Sequence, residues 1–117
     1  MTKEELGPWG EEKATSYLLK KGFVLVDRNI RFKRYEVDIV MKKNNLLVIV
    51  EVKTRNTAEI GEPWRAVTRG KQEQIIKVAD NYVQANQIDK DVRFDVVSIV
   101  HNSLRTNIEH LEGAFTP

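Results

Sequence analysis

Hydrophobic and polar positions recur along the chain with two different periods, and the changes between them predict the order of its elements. A helical spacing of three and four residues, carried by Ala14 and Leu18, extends from Pro8 at the first helical position to Lys21. Gly22 follows, and glycine is the residue that most commonly ends a helix. The chain is therefore predicted to open with a helix that buries one face.

Three stretches rich in β-branched, aromatic or alternating residues follow this helix and predict three consecutive strands. Residues 23–30 form the first, and residues 36–42 form the second. The apolar residues of the second strand that are predicted to share one side are Val37, Ile39 and Met41. The third strand begins with the continuous apolar run 46–50, which is typical of a central strand buried on both faces.

The second half of the chain predicts one more helix and two more strands. Residues 54–67 are interpreted as a loop, whose Trp64 would cover an edge of the core or stack on an unpaired base. A threonine cap and an apolar stripe predict a helix over 68–84, and strands are predicted at 94–100 and 107–111. The order helix, three strands, helix, strand, strand indicates an α/β sandwich with a mixed sheet.

The length and composition limit what the chain can be. Its 117 residues, without an internal repeat, a low-complexity tract or a linker, are predicted to form one domain spanning residues 1–117. No stretch approaches the roughly 20 apolar residues that a membrane-spanning helix needs, and the acidic N-terminus lacks the apolar core of a secretory signal. We therefore expect a cytoplasmic protein that does not contact membranes.

Residue usage excludes several kinds of chemistry. The absence of cysteine excludes disulfides, thiolate zinc sites and cysteine nucleophiles, and the two histidines disfavour a histidine-based metal site. His101 and His110 are interpreted as ordinary polar residues at strand ends, and Asp95 as a cap or a partner of Arg93. Any catalysis must therefore come from carboxylates, lysines, arginines and hydroxyls.

The net charge of +2 conceals a local concentration of basic residues. Residues 28–34 carry four positive charges and no acid, and a second basic group follows later in the chain. The members of this second group are Lys53, Arg55, Arg65, Arg69 and Lys71. Localised positive charge is what a phosphate-facing surface requires, and an ordinary solvated surface remains the alternative.

Two charged residues, Glu51 and Lys53, follow directly on the most apolar strand. Side chains alternate along a strand, so both are predicted to lie on the same face. With a two-residue turn at 44–45, where asparagines tolerate positive φ, Asp38 falls directly opposite Glu51. By the same count Glu36 falls opposite Lys53. A three-residue turn would instead send Asp38 and Glu51 to opposite faces.

Two carboxylates in directly opposed positions repel each other unless something neutralises them. A divalent cation would do so, because Mg²⁺ and Mn²⁺ take oxygen ligands and commonly use one or two carboxylates plus water. The alternative is ordinary ion pairing, in which Glu36 pairs with Lys53 and Glu51 pairs with another lysine or arginine. The spacing by itself leaves both interpretations open.

A third carboxylate could join this pair from the first helix. Glu11 precedes Ala14 and Leu18 by three and seven residues, so it shares their stripe and is predicted to face the sheet. A carboxylate on an inward stripe needs a partner, and a metal ion or its bound water would serve. The alternative is that Glu11 only complements the positive end of the helix dipole.

Basic side chains near these carboxylates are candidates for binding nucleic acid. Arg31, Lys33 and Arg34 would lie beside the open end of the hairpin, where they could meet phosphates. A lysine at a helix N-terminus opposes the helix dipole, and a bound phosphate would explain Lys71 there. Arg55 follows the third strand and is assigned the same role. For each of these residues a solvated surface charge is the alternative.

The order of these residues resembles a known superfamily of enzymes. The words GE at 10–11, EVD at 36–38 and EVK at 51–53, set within helix, three strands, helix and strand, resemble the PD-(D/E)xK nucleases. More closely, the chain is similar to the YraN-like family of bacterial proteins, which is related to archaeal Holliday-junction resolvases. Further matching words lie at 7–14, 29–31, 50–55, 71 and 93–97. The family usually has glycine before the Glu-x-Asp word, where this chain has Tyr35.

The resemblance implies a fold and a set of roles. The fold would be α/β, a restriction-endonuclease-like core in the order α-β-β-β-α-β, with a mixed central sheet flanked by helices. Asp38 and Glu51 would ligate Mg²⁺ or Mn²⁺, with the Val52 carbonyl as a further ligand. Glu11 would hold a water bound to the metal. Lys53 would orient or help to deprotonate the attacking water and would offset charge in the transition state.

These roles imply a metal-dependent DNA endonuclease that acts on structured or branched DNA. Cutting two strands of a junction needs paired active sites, so a homodimer is expected as well. One alternative is a DNA-binding module of the same fold with little or no turnover. Another is an interaction protein whose surface charges only keep it in solution.

Overall fold

A computed structural model of the protein describes residues 1–56 and 67–117, which contain two helices and five strands. In chain order these are α1 (Lys3–Lys20), β1 (Val24–Phe32), β2 (Tyr35–Lys43), β3 (Leu46–Arg55), α2 (Arg69–Ala85), β4 (Asp91–His101) and β5 (Thr106–Phe115). The predicted order of elements is confirmed. Most of the predicted loop, with Trp64 and Arg65, lies outside the described residues, whereas residues 54–55 extend β3.

The strands form one mixed sheet in the order β1-β2-β3-β4-β5. Neighbouring strands pair antiparallel except β3 and β4, which are parallel and are separated along the chain by α2. This arrangement confirms the predicted α/β class. The order α-β-β-β-α-β-β is compatible with a restriction-endonuclease-like core, with β5 as an additional edge strand.

One helix covers each face of the sheet. In β3, Leu47 and Ile49 belong to the core that packs against α2, whereas Val48 and Val50 belong to the core that packs against α1. Burial on both faces is what the continuous apolar run of β3 predicts for a central strand. The molecule is therefore a three-layer α/β/α sandwich with β3 at its centre.

The first helix begins earlier than the pattern of apolar residues predicts. Thr2 caps it, and its hydroxyl accepts a hydrogen bond of 3.2 Å from the Glu5 backbone N–H. The predicted start at Pro8 is wrong, because a threonine cap satisfies free N–H groups upstream and the proline lies inside the helix. Gly22, with φ of +92°, follows the helix end as predicted.

Contact between α1 and β3 depends on a glycine. A Cβ atom placed on Gly10 would lie 1.9 Å from the Thr54 hydroxyl oxygen, far inside van der Waals contact. The backbone of α1 therefore lies directly against β3 at this point. The next residue on the helix is Glu11, so this close approach helps to set the distance of its carboxylate from the sheet.

The alternation of side chains in β2 breaks at Asp38. Val40 packs on the α2 side and Ile39 and Met41 on the α1 side, yet Val37 also belongs to the α2-side core. The prediction that Val37 shares a side with Ile39 and Met41 is therefore wrong. Asn29 lies at the matching position of the neighbouring strand β1, and its φ of +51° shows that the regular pleat is interrupted in both strands at this point.

Candidate active site

The carboxylates of the predicted site lie where β2 and β3 stop pairing. The ladder starts at Lys43–Leu46, as a two-residue turn requires, and it ends at Ile39–Val50. Beyond that point β2 reaches back to residue 35 and β3 continues to residue 55. We call these two strand ends, residues 35–38 and 51–55, which do not pair with each other, the fork.

Asp38 and Glu51 meet at the base of the fork. The predicted register is confirmed up to Ile39–Val50, the position before the two carboxylates, where the backbone ladder ends. Instead of continuing the ladder, the Asp38 Oδ2 atom accepts a hydrogen bond of 2.9 Å from the Val52 backbone N–H. This bond fixes the Asp38 carboxylate against the strand that carries Glu51.

Burial raises the pKa of both carboxyl groups, and the charge of Asp38 raises that of Glu51 further. The Glu51 side chain is only 7% exposed, and burial together with the charge of Asp38 raises its pKa to about 8. Burial also raises the pKa of Asp38, although the hydrogen bonds from Val52 and Glu51 oppose the shift. In the absence of a cation, the pair therefore retains one proton at neutral pH and carries one negative charge.

The oxygen atoms of Glu51 have unequal surroundings. Oε2 lies 3.7 Å from the Lys71 ammonium of α2, and within the described part of the chain Oε1 is buried without a hydrogen-bond partner when the carboxyl is ionised. A buried acceptor without a donor is costly, and a cation would remove that cost. The interpretation of Glu51 as an ion-pair partner is thus confirmed with Lys71.

The donor set of this pair fits a hard divalent cation. Among residues 1–56 and 67–117, no group of three or more histidine, cysteine, aspartate or glutamate side chains could hold a metal ion. A cation here would therefore rest on Asp38 and Glu51, with the remaining positions filled by backbone oxygen and water. Mg²⁺ is commonly held by one or two carboxylates and keeps several waters, so this set suits it.

Glu11 approaches the pair from α1. Its Oε1 atom accepts a hydrogen bond of 3.0 Å from the Asn29 side-chain amide of β1. Burial raises the pKa of Glu11, the Asn29 hydrogen bond lowers it, and the nearby charges of Asp38 and Glu36 raise it further. Glu11 is therefore close enough to Asp38 for their charges to interact, as its inward stripe predicts.

Lys53 lies on the same strand as Glu51 but does not meet its predicted partner. The charge of Lys53 acts on the Glu51 carboxyl and favours its ionised form. Glu36 instead accepts a hydrogen bond of 2.9 Å from Arg31, its cross-strand neighbour in β1. The alternative of a Glu36–Lys53 ion pair is thus not what the structure shows.

The basic residues assigned to nucleic acid lie at the same end of the sheet as the carboxylates. Lys33 and Arg34 form the exposed turn between β1 and β2, with their charges 5.4 Å from the ring centres of Phe32 and Tyr35 respectively. Arg31 lies just before this turn, Arg55 is the last residue of β3, and Lys71 is in the first turn of α2. Their role in DNA binding remains a prediction.

Asn29 is a site residue that the sequence patterns did not single out for a role. It combines a left-handed backbone inside a strand with a side chain that holds Glu11. An asparagine within a stretch of strand-forming residues is the one signal that could have marked it, because asparagine is unfavourable in strands and tolerates positive φ.

A second polar cluster lies away from the carboxylates. Asp95 is fully buried and accepts two hydrogen bonds from Arg93, at 2.8 and 2.9 Å, which confirms the predicted pairing. His110 lies in the middle of β5, 2.7 Å from Asp95 and with a side chain only 1% exposed, so its assignment to a strand end is wrong. Burial raises the Asp95 pKa, but the bonds from His110 and Arg93 outweigh it, and the pKa is lowered.

The second histidine, His101, is the last residue of β4, as predicted, and its ring lies 4.2 Å from that of Trp9. Neither helix in the described part of the chain is long and apolar enough to cross a membrane.

Comparison with known proteins places this arrangement in a family. The profile of "Uncharacterised protein family UPF0102" matches residues 10–99, which include all four candidate catalytic residues. A UPF0102 protein of Christiangramia forsetii is 41% identical over 111 residues, covering 95% of this chain and 93% of the relative. A UPF0102 protein of Caldicellulosiruptor saccharolyticus is 45% identical over 103 residues, covering 87% of each. The chain therefore belongs to the UPF0102 family, which is the YraN-like family that its sequence resembles.

Proposed function

We propose that this protein is a Mg²⁺- or Mn²⁺-dependent endonuclease that hydrolyses phosphodiester bonds in branched or otherwise structured DNA. The observation that carries the proposal is the pairing of half-buried Asp38 with buried Glu51, one oxygen of which has no partner within the described residues when the carboxyl is ionised. Lys53, two residues further along the same strand, completes a set of two carboxylates and a lysine. Such a set needs only a hard cation to hydrolyse a phosphodiester.

The roles of the residues follow from their positions. Asp38 and Glu51 would hold the cation, with the Val52 carbonyl as a further ligand, and the Val52 N–H keeps the Asp38 carboxylate in place. The cation, when bound, would neutralise the two carboxylates and polarise a phosphate oxygen.

Lys53 and Glu11 would act on the attacking water. The Lys53 ammonium would orient it, favour loss of its proton to solvent through its positive charge, and offset the negative charge that develops on the phosphate. Glu11, held by Asn29, would accept a hydrogen bond from a water in the fork. Attack on phosphorus with departure of the 3′ oxygen gives a 5′-phosphate and a 3′-hydroxyl.

The charge around the fork supports DNA as the substrate. Lys33 and Arg34 are exposed at the turn next to the β2 end of the fork, and Arg55 ends the β3 side. Basic side chains on both sides of a carboxylate pair would hold the phosphates that flank the bond to be cut. A branched substrate is proposed because of the likeness of the chain to junction resolvases.

A cleavage panel tests the proposal. Duplex, single-stranded, flapped and four-way DNA are incubated with the protein and Mg²⁺ or Mn²⁺, beside Lys53→Ala and Asp38→Asn. We expect the wild type to cut and both variants to lose at least about 100-fold in rate while retaining DNA binding. Lys77→Ala, an exposed change on α2, is the matched control and should cut at the wild-type rate. Equal cleavage by all four proteins would refute the assignment.

A DNA-binding module without turnover is the second candidate, and one contact favours it. Lys71 already lies beside Glu51, so the carboxylate pair is partly neutralised without a metal ion. This candidate predicts that all proteins of the panel bind DNA and none cuts it.

Calorimetry separates the nuclease from a protein that uses its charges only for solubility. Mg²⁺ should bind the wild type and fail to bind Asp38→Ala. If the protein binds neither Mg²⁺ nor DNA at low salt concentration, both proposed nucleic-acid functions are wrong.

A further inference from the structure

Lys71 is the residue through which α2 reaches the carboxylate pair. Its backbone N–H donates to the Thr68 hydroxyl that caps the helix, and its ammonium lies 3.7 Å from the Glu51 Oε2 atom. The Lys71 side chain is 36% exposed and that of Glu51 is 7% exposed. The ammonium therefore stands at the boundary between the buried carboxylates and solvent.

The position of Lys71 in its helix indicates that its charge interacts favourably with the carboxylate pair and not with the helix dipole. A positive charge in the first turn opposes the helix dipole, and the first turn of α2 contains no acidic residue to compensate. Its charge instead acts on both Glu51 and Asp38 and favours their ionised forms. Lys71 is thus the counter-ion of the pair.

The contact between Lys71 and Glu51 is loose enough to be exchanged. A charge-assisted N–H···O hydrogen bond is about 2.7–2.9 Å long, so a separation of 3.7 Å is an ion pair without a short hydrogen bond. A divalent cation on Oε1 would bring twice the charge of an ammonium to the same carboxylate and would repel Lys71. The two cations would compete for one anionic site.

We propose that Lys71 is an exchangeable counter-ion, which balances the remaining negative charge of the Asp38–Glu51 pair until a divalent cation binds and is then released to hold a DNA phosphate. The inference rests on the proposed function and adds its regulation, because cation loading would then raise the affinity for DNA. An ammonium freed from Glu51 keeps its three donors and its place at the rim of the fork. Phosphate is the ligand that suits a point charge at the N-terminus of a helix.

Calorimetry of Mg²⁺ binding without DNA gives the first test. Lys71→Gln removes the competing cation, so the variant should bind Mg²⁺ about threefold or more tightly than the wild type. Lys77→Gln, which removes an exposed charge two turns from the helix start, is the control and should match the wild type. If Lys71 only supported the architecture of the site, Lys71→Gln would bind Mg²⁺ equally or more weakly, and the proposal would be refuted.

DNA binding with and without Mg²⁺ gives the second test. All proteins carry Lys53→Ala so that no strand is cut, and the anisotropy of a labelled four-way DNA is measured across a salt series. With EDTA, Lys71→Gln should bind within about twofold of its parent, because Lys71 is held by the negative charge of the Asp38–Glu51 pair. With Mg²⁺, it should bind about tenfold more weakly than its parent, and its log–log salt slope should be smaller by about 0.9.

The outcomes distinguish this inference from the proposed function. If the parent binds Mg²⁺ but Lys71→Gln weakens DNA binding equally in Mg²⁺ and in EDTA, Lys71 is a constant phosphate contact and only the exchange is wrong. If the parent binds no Mg²⁺ at all, the proposed function and the exchange are both wrong.

Discussion

At the scale of single residues, burial decides the protonation of Glu51. A carboxyl group whose pKa is higher in the folded protein than in the unfolded chain binds more protons when folded. Its contribution to stability is complete below its ordinary value of 4.5 and is lost as the pH rises through about 8. Without a cation, the protein should therefore become less stable across this range.

The pH dependence of unfolding by urea, measured in EDTA, tests this prediction. The free energy of unfolding should fall from about pH 5 to about pH 9, with a contribution from Glu51 of at most about 1.4 kcal/mol per pH unit. Glu51→Gln should flatten the profile because its amide does not titrate. Glu73→Gln, at an exposed position of α2, should leave the profile as it is. Parallel profiles for the wild type and Glu51→Gln would show that burial of Glu51 has no such effect.

Part of the site could be predicted at this scale and part could not. Two asparagines mark a two-residue turn, which fixes the register of β2 and β3 and so brings Asp38 and Glu51 together. The contacts of Glu11 with Asn29, and of His110 with Asp95, join residues 18 and 15 positions apart that no shared turn connects. They depend on how α1, β1, β4 and β5 pack, which local spacing does not determine.

At the scale of elements, the packing of α1 on β3 depends on Gly10. Gly10→Ala would place a methyl group 1.9 Å from the Thr54 hydroxyl oxygen, so the helix or the strand must shift. We expect a loss of about 1–3 kcal/mol in the free energy of unfolding, which is typical of overpacking. The shift would also move Glu11 away from Asp38, so the proposed cleavage activity should fall.

Gly7 offers a matched control for this prediction. It lies on the same helix, and a Cβ atom there would have no other atom within 4 Å. Gly7→Ala should therefore stabilise the protein by about 0.5–1 kcal/mol through helix propensity alone. Thermal or urea unfolding of the two variants measures the contrast, and destabilisation of equal size in both would contradict it.

Elements were predictable where one signal dominates. The helix from Arg69 to Ala85 has both a threonine cap and a clear apolar stripe, and its observed bounds differ from the predicted 68–84 by one residue at each end. The first helix carries two opposing signals, since Pro8 suggests a start and Thr2 supplies the cap that prevails. In β2, the reversal at Asp38 lies beside the left-handed backbone of Asn29 on another strand, and the sequence pattern of β2 does not reveal it.

At the scale of the whole molecule, the distribution of charge matters more than the net charge of +2. Lys33 and Arg34 are exposed at the fork end of the sheet, whereas Lys90 precedes β4 at the opposite end. If the fork faces DNA, replacing Lys33 and Arg34 together by alanine should reduce the log–log salt slope of binding by about 1.8, or about 0.9 for each lost contact.

Anisotropy titrations over a range of salt concentrations measure this slope. Lys90→Ala is the control and should leave it unchanged, because its side chain lies near Asn45 at the far end of the sheet. If the salt slope fell more in Lys90→Ala than in the double variant, the DNA-binding surface would lie at the end of the sheet opposite the fork, and the prediction would be wrong.

The end of the β2–β3 ladder has a mechanical consequence. Beyond Ile39–Val50, Asp38 belongs to a strand whose end is hydrogen-bonded to β1, and Glu51 and Lys53 belong to a strand that is hydrogen-bonded to β4 as far as Arg55. The candidate catalytic groups thus lie on two strand ends that are held by different neighbouring strands. Within the described residues, the hydrogen bond from the Val52 N–H to Asp38 connects these two ends. A cation bound by both carboxylates would fix the distance between the two strand ends. Cation binding would therefore make this end of the sheet more rigid as well as complete the proposed site.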